Sequence, residues 1–500
     1  MKAEGRRHAE PDDVSALPDG VSAPAYDPAT IGTGIVHFGV GNFFRAHEAF
    51  YVDRCLALAG QHGWGIVGVG LMAGGRSERK AEQFAAQDCL YSLTEAAPDG
   101  GRAVRVIGAP RGYLLAPADP KAVPDLLADP SVRIVSMTIT EGGYNIDETT
   151  GEFRLDHAAV RADLAGGAPP TTIFGYVVEA LARRRAAGVG PFTVLSCDNL
   201  RHNGDVARAA FLGFARARDP DLAAWIEAHV TFPNGMVDRI TPSVDDAIAG
   251  ALNAASGLDD ALPLVAEDFT QWVVEDRFCA GRPALEEAGV QFVTDVTGYE
   301  HVKVRMLNAS HILLAFPGIL LDYRQVDEAL RDPDLARLVN AYLELDVIPR
   351  LDAPPGRDPQ DYRRSVLRRF SNPAMADQLL RIGGDGSSKI QVFWTETVRC
   401  ALSDGGDLRC IAFGIAAYLE ALRGVDETGV PYTPTEPTLD AAQLELAEAE
   451  DLGAALALPA FDGWRDIQSP ALTDAIVAAR RAIRDIGVRA ALVQYGGLPD

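Results

Sequence analysis

Ile35-Val36-His37-Phe38-Gly39-Val40-Gly41-Asn42-Phe43-Phe44-Arg45-Ala46-His47 opens as a short apolar strand and breaks at two glycines one residue apart. A helical pattern follows from about Arg45 to Leu58. Strand, glycine turn and helix in that order are the context a dinucleotide-binding fingerprint requires. The first glycine permits a tight turn, and the second lets the backbone approach a pyrophosphate at the helix start. The third glycine of G-x-G-x-x-G is missing, and Phe44 stands in its place. Taken alone, the segment fits either a nucleotide turn or an ordinary strand–turn–helix connection.

Working outward, Gly65 to Leu71 reads as a second strand, followed by a polar helix from about Ser77. Arg133 to Ile139 and Phe192 to Ser196 are β-branched strands of buried type, with a helical pattern such as Phe174 to Arg185 between them. Alternation of this kind predicts an α/β unit with a parallel sheet covered on both faces. Beyond about residue 297 amphipathic stretches dominate: Tyr299–Ala315, Pro333–Leu345, Tyr362–Phe370, Asp407–Leu422, Ala441–Leu456 and Ser469–Leu492. The division expected is therefore a Rossmann-type domain over 30–296 and a mostly helical domain over 297–495. Residues 1–30 show no periodicity and read as a surface lead-in.

Composition narrows the function classes. A chain of 500 residues exceeds one ordinary core, and its 47% hydrophobic and 23% charged residues are ordinary for a globular protein. A net charge of −24 argues against nucleic-acid and anionic-membrane partners, which demand clustered Lys and Arg. The longest apolar run, Ile312 to Leu321, is interrupted by Pro317 and Gly318 and falls short of the ~20 residues that span a bilayer. The charged N-terminus has no apolar core, so no signal peptide is expected. Cys55, Cys89, Cys197, Cys279, Cys400 and Cys410 form no CxxC pair, which predicts reduced thiols in the cytoplasm. There is no HExxH and no dense His/Cys cluster, so no metal is expected. The chain is expected to act as a monomer or small homo-oligomer.

In a dinucleotide fold the second strand should end in an acid that holds the adenosine ribose hydroxyls. Here Gly70-Leu71-Met72-Ala73-Gly74-Gly75-Arg76-Ser77 contains none before Glu78. Arg76, Ser77, Arg79 and Lys80 suit a 2′-phosphate, and they equally suit a solvated first helical turn.

Thr297-Gly298-Tyr299-Glu300 fits a capping box, with Thr297 as N-cap and Glu300 at N3. On the helix so begun, Lys303, Asn308 and His311 fall within an arc of about 140° at α-helical pitch. Leu307 and Leu314 share that arc, so the polar groups emerge from an apolar face, where desolvation disfavours an ammonium. A lysine so placed can accept the proton of an alcohol as hydride leaves carbon, Asn308 can donate to the developing alkoxide, and His311 can bind a neighbouring hydroxyl. Spacing alone favours the plainer reading of a surface Lys, an interior Asn and a satisfied core His. Tyr299-x-x-x-Lys303 also matches the Y-x-x-x-K pair of short-chain dehydrogenases, but lies far too late in the chain for that compact family.

Several blocks together carry a resemblance. The segment 35–47 is similar to the N-terminal signature of the mannitol dehydrogenase family of polyol-specific long-chain dehydrogenases. Lys303-Val304-Arg305-Met306-Leu307-Asn308-Ala309-Ser310-His311 resembles that family's K-x-x-x-x-N-x-x-H signature. Thr138-Ile139-Thr140-Glu141-Gly142-Gly143-Tyr144 and Ser196-Cys197-Asp198-Asn199-Leu200 resemble further family blocks in the same order. The resemblance runs from about residue 30 to 490. It implies a nicotinamide cofactor held by Gly39, Val40, Gly41, Asn42, Phe43, Phe44 and Arg45. It implies Lys303 as general base, with Asn199 and Asn308 donating to the reacting oxygen and His311 positioning substrate. Arg381 and Lys389 match positions that bind polyol hydroxyls, and Asn199 is counted with them. Glu141 and Glu300 sit where the family relays the lysine's proton, and Asp238 in Met236-Val237-Asp238-Arg239 is a further carboxylate of that kind. Leu313-Leu314-Ala315-Phe316-Pro317-Gly318 is more similar to the mannitol branch than to the hexuronate reductases. The implied reaction is reversible oxidation of D-mannitol to D-fructose with NAD, without a metal. The acid-free turn at Gly74-Gly75-Arg76 departs from many family members and leaves NADP open. D-arabinitol or sorbitol oxidation, hexuronate reduction, and a catalytically silent nucleotide sensor are the alternatives.

Overall fold

The computed structural model describes residues 17–147, 150–406, 408–449, 451, 453–467 and 469–495, and the rest of the expected lead-in, residues 1–16, lies outside them. The chain divides into two compact units between Thr297 and Gly298. The first is built on five parallel strands: β1 (Thr33–Phe38), β2 (Gly65–Gly70), β3 (Pro110–Leu115), β4 (Ile134–Met137) and β5 (Thr193–Ser196). Their spatial order, β3-β2-β1-β4-β5, is that of a Rossmann sheet, with the topological switch between β1 and β4.

The sequence builds this sheet by alternation between two buried faces. Val36, Phe38, Val69, Val135 and Met137 enter one core with Val177, Leu181 and Phe211 from the helices at Ile173–Ala186 and Asn203–Arg218. Ile35, Ile66, Ile134 and Leu195 enter the other with Phe44, Val52 and Leu56. The helix expected over Arg45–Leu58 is two helices, α1 (Asn42–Ala46) and α2 (Glu48–Leu56). They are broken at His47, whose φ of −121° and ψ of −82° lie outside the helical region. The polar helix after β2 is α3 (Gly75–Ala86). Two smaller sheets escaped sequence reading. One joins Val21–Ser22, Arg102–Ile107, Tyr91–Ala96 and Leu264–Glu267; the other joins Gln291–Val293, Gln271–Glu275 and Gly235–Asp238.

The second unit is helical and, among the described residues, contains no strand, only isolated bridges at Gln325–Gln378 and Val425–Pro431. Its elements include α4 (Thr297–Val302), a π-helical turn (Lys303–Asn308), α5 (Ala309–Leu320), α6 (Leu379–Gly383), α7 (Gly386–Phe393), α8 (Arg409–Ala421) and α9 (Pro470–Ile486). A Cβ on Gly414 of α8 would lie 2.4 Å from Leu313 of α5, so glycine permits that close crossing. The helix expected over Ala441–Leu456 is only Ala441–Glu445 with a 3₁₀ turn at Ala454–Ala457; Leu452 lies outside the described residues, as does Asp407 of the expected Asp407–Leu422 helix. Thr297 is the first residue of α4 rather than the residue before it, and its N–H and hydroxyl donate to Asp295 Oδ1 at 2.9 and 2.6 Å. Among the described residues no helix is long and apolar enough to cross a membrane.

Glu420 of α8 takes Arg480 Nε at 2.9 Å and Arg484 Nε at 3.0 Å, with the Glu420 and Arg480 side chains 3% and 0% exposed. Removing one member of such a pair strands a buried charge. Glu420→Ala should cost about 3–5 kcal/mol, read as a lower urea midpoint at unchanged slope.

Candidate active site

β1 runs straight into the glycine turn. Gly39 has φ of 92°, and a Cβ there would fall 1.9 Å from the Thr138 carbonyl oxygen at the end of β4. Only glycine fits. Gly41 differs: a Cβ there would meet nothing nearer than Gly39 O at 3.9 Å. The space above it is open, as the approach of a pyrophosphate to backbone demands, so the turn fits a dinucleotide.

The remaining residues of the expected cofactor loop serve largely as its frame. Phe44, 1% exposed, stacks on His37 at 3.8 Å between ring centroids, and this packing occupies the third-glycine position. The buried Arg45 guanidinium donates to Leu262 O at 2.8 Å and Asn42 Oδ1 at 2.9 Å. Asn42 donates to Pro242 O, Phe43 stacks on His47, and Val40 O accepts from Lys80 Nζ at 3.0 Å. Beneath the turn, His37 lies 2.8 Å from Glu48 Oε2, 2.9 Å from Ser136 Oγ and 3.0 Å from Thr138 Oγ1. Thr138 Oγ1 donates to Gly39 O at 2.7 Å, so this buried network holds the turn. Sequence reasoning missed His37; a lone histidine in an otherwise apolar strand was the available signal.

At the end of β2 the chain passes through Gly74, φ 118°, into α3 with Arg76 exposed on the first turn. Burial lowers the pKa of Lys80, and the nearby Arg45 and Arg76 lower it further. Three cations thus act on one another beside the glycine turn.

The loops after β4 and β5 are tied together by Asp198. Its carboxylate accepts from Ile139 N (2.9 Å), Thr140 N (3.0 Å) and Tyr144 Oη (2.7 Å). Thr140 has φ of 63°, a conformation a β-branched residue adopts only when its surroundings hold it there. Glu141 follows Thr140 and Asn199 follows Asp198, so these two expected site residues share one scaffold; both are exposed. Asp198 itself went unnoticed. Asp238 is buried at the end of its strand, opposite Gln271.

In the helical unit, Lys303 is the first residue of the π turn and Asn308 the last. The Ala309 N–H donates to Val304 O, five residues back. Five residues of α-helix would set Lys303 and Asn308 about 140° apart; the wider i→i+5 winding reduces that angle and turns both toward a common side. The 100°-per-residue spacing read from the sequence is corrected accordingly. Arg305 anchors the turn by donating to Thr397 Oγ1 at 3.0 Å and Arg350 O at 2.7 Å. Lys303 is 7% exposed and Glu300, one turn earlier, is 3% exposed.

His311 follows on α5, its ring stacked on Phe370 at 4.4 Å. Burial pushes its pKa down to about 4, against the pull of Asp377, whose Oδ2 lies 3.7 Å from Nε2. Asp377 also accepts from Arg381 Nε at 3.1 Å. Lys389 donates to Ile382 O at 2.9 Å and Arg381 O at 3.4 Å, across the end of α6. The structure thus gathers His311, Arg381 and Lys389, with Asp377 as the residue the sequence did not flag. Glu436 closes the group by accepting from Gly386 N (2.8 Å) and Ser387 N (3.2 Å) at the start of α7, and burial raises its pKa to about 7. Among the described residues no three His, Cys, Asp or Glu side chains gather as a metal-binding group.

Residues 33–287 match the model of the mannitol dehydrogenase Rossmann domain, and 295–484 that of the mannitol dehydrogenase C-terminal domain. A polyol:NADP oxidoreductase of Gluconobacter oxydans (strain 621H) is 64% identical over 479 residues, covering 96% of this chain and 98% of that one. A D-sorbitol dehydrogenase crystal structure in substrate-free form is 62% identical, with a TM-score of 0.93 over 97% of this chain and 99% of that one. The Pseudomonas fluorescens mannitol 2-dehydrogenase, in ternary complex with NAD and D-mannitol, is 42% identical, with a TM-score of 0.85 over 97% and 98%.

The two glycines separate folding from binding. Gly39→Ala should lower the melting temperature sharply. Gly41→Ala should leave it within about 2 °C yet weaken nicotinamide nucleotide binding by about ten-fold or more, measured by fluorescence titration.

Proposed function

The chain belongs to the mannitol dehydrogenase family, and within it we propose a hexitol dehydrogenase that interconverts a hexitol and a 2-ketohexose and prefers NADP. The π turn carries the reaction part of this reading. It sets a buried lysine, Lys303, at one end of a wide helical turn and Asn308 at the other, with His311 following on the same helix. A buried amine favours the neutral, proton-accepting form.

A bound nicotinamide supplies the hydride acceptor. Lys303 takes the hydroxyl proton as hydride leaves the carbinol carbon, and returns it in ketose reduction. Asn308 donates to the reacting oxygen as its negative charge grows. His311 stays neutral at working pH because burial holds its pKa at about 4. Its imidazole therefore offers a donor and an acceptor to a neighbouring hydroxyl. Arg381 and Lys389 reach hydroxyls further along the substrate, and Glu300, on the helix that leads into Lys303, passes the proton on.

The cofactor preference rests on the turn after β2. No carboxylate stands between Gly70 and Glu78 to meet ribose hydroxyls, while Arg76 and Lys80 on α3 supply cations of the kind that suits a 2′-phosphate. This moves the reading from NAD to NADP, in line with the relative named for NADP. Relatives named for sorbitol and mannitol support both hexitols as first substrates.

Absorbance at 340 nm with D-sorbitol, D-mannitol, D-fructose and L-sorbose should give a kcat/KM at least about ten-fold higher with NADP(H) than with NAD(H), and Arg76→Ala should narrow the gap. A preference for NAD would refute the cofactor assignment. Lys303→Ala should lower kcat by about 10²–10⁴ with nucleotide affinity nearly unchanged; full turnover in that variant would sink the mechanism.

A further inference from the structure

Four charged side chains act on the ring of His311: Asp377, Arg381, Arg369 and Lys389. Asp377 is the one carboxylate among them, and its side chain is only 8% exposed. Its backbone is held on both sides. The Asp377 carbonyl accepts from Val326 N at 3.0 Å, Leu379 N donates to Arg324 O at 2.9 Å, and Gln378 bridges Gln325. The carboxylate is therefore a fixed charge rather than a swinging surface group. Lys389 sits in a similar balance, with Asp385, Glu436 and Asp377 all acting on it. Arg381 is thus paired with Asp377, while Lys389 feels Asp385, Glu436 and Asp377 against the repulsion of Arg381.

We propose that Asp377 is a specificity-determining residue: by holding Arg381 and keeping a fixed negative charge beside His311, it admits an uncharged polyol or ketose and refuses a sugar acid. This rests on the reading of His311 and Arg381 as substrate-binding groups. A hydroxyl both donates and accepts, so a neutral sugar chain can bond the carboxylate and the guanidinium without parting them. A substrate carboxylate only accepts. It would have to displace Asp377 from Arg381 and still meet a like charge nearby, which is discrimination by repulsion. Substitution by Asn keeps the shape and removes the charge.

The test is the ratio of kcat/KM for D-fructuronate to that for D-fructose, with NADPH, in wild type and variants. Asp377→Asn should raise the ratio by about ten-fold or more, Asp377→Glu should leave it within about three-fold, and adding Arg381→Ala to Asp377→Asn should abolish the gain. A general loss of packing would lower both substrates together and leave the ratio unmoved. Inhibition of the wild-type enzyme by D-gluconate needs no variant: its Ki should exceed the D-sorbitol KM by about ten-fold or more, and tighter gluconate binding overturns the proposal. A wild-type enzyme that prefers fructose, with a ratio that Asp377→Asn leaves unchanged, overturns the role of Asp377 alone. A wild-type enzyme that prefers fructuronate overturns both this role and the reading beneath it.

Discussion

The first unit depends on one close approach of backbone to backbone. At the carboxyl ends of β1 and β4, Gly39 lies so near the Thr138 carbonyl that no side chain can be added. The chain must leave β1 with positive φ at that point, and the strand order puts the topological switch at the same place. Thr138 returns a hydroxyl to Gly39 O and sits beside His37, which in turn sits against Glu48 at the start of α2. Turn, strand end and helix start are therefore one assembly. The loops after β4 and β5, with Glu141 and Asn199, leave from the same edge of the sheet and are joined by Asp198.

A comparable constraint operates in the helical unit, where the backbone departs from α-helical winding between Lys303 and Asn308. Interruptions of this kind frequently mark functional positions, because they give up regular hydrogen bonding to re-aim side chains. Here the departure is supported from outside the helix: the buried Arg305 is fixed to Thr397 and to the Arg350 carbonyl.

Legibility in the sequence followed the range of the forces involved. The Rossmann sheet and the helical half were readable because period and strand–helix alternation are local signals, and Ile35 through Phe38 carry theirs in four residues. The π turn was not readable, since nothing in Lys303–Asn308 breaks helical propensity and the winding is held by Thr397 and Arg350 far along the chain. The break at His47 was hidden for the same reason, because its ring is tied to Gln271 O. The resemblance placed His311, Arg381 and Lys389 in one site. It could not supply Asp377, whose backbone is fixed beside the bridge between Gln325 and Gln378. Phe44 and Arg45 illustrate the reverse case: they belong to the signature loop, yet their side chains are spent on His37, Leu262 and Asn42.

The net charge of −24 constrains macromolecular partners but not the local field, and two places in this chain handle charge in opposite ways. Around His311 burial keeps the imidazole neutral, and Arg381 is paired with the Asp377 carboxylate. A neutral ring beside an ion pair presents both donors and acceptors, which suits a ligand made of hydroxyls. At the turn from β2 to α3 the balance is different: the Lys80 ammonium is met by a carbonyl rather than a carboxylate, and Arg45 and Arg76 add to the positive field there. A cation met by a carbonyl keeps its charge available to a phosphate, which a polyol does not need. Substrate neutrality and cofactor phosphorylation are thus proposed from the same physical criterion, namely whether a cation at the site is paired with a carboxylate, as Arg381 is with Asp377, or met by a carbonyl, as Lys80 is by Val40.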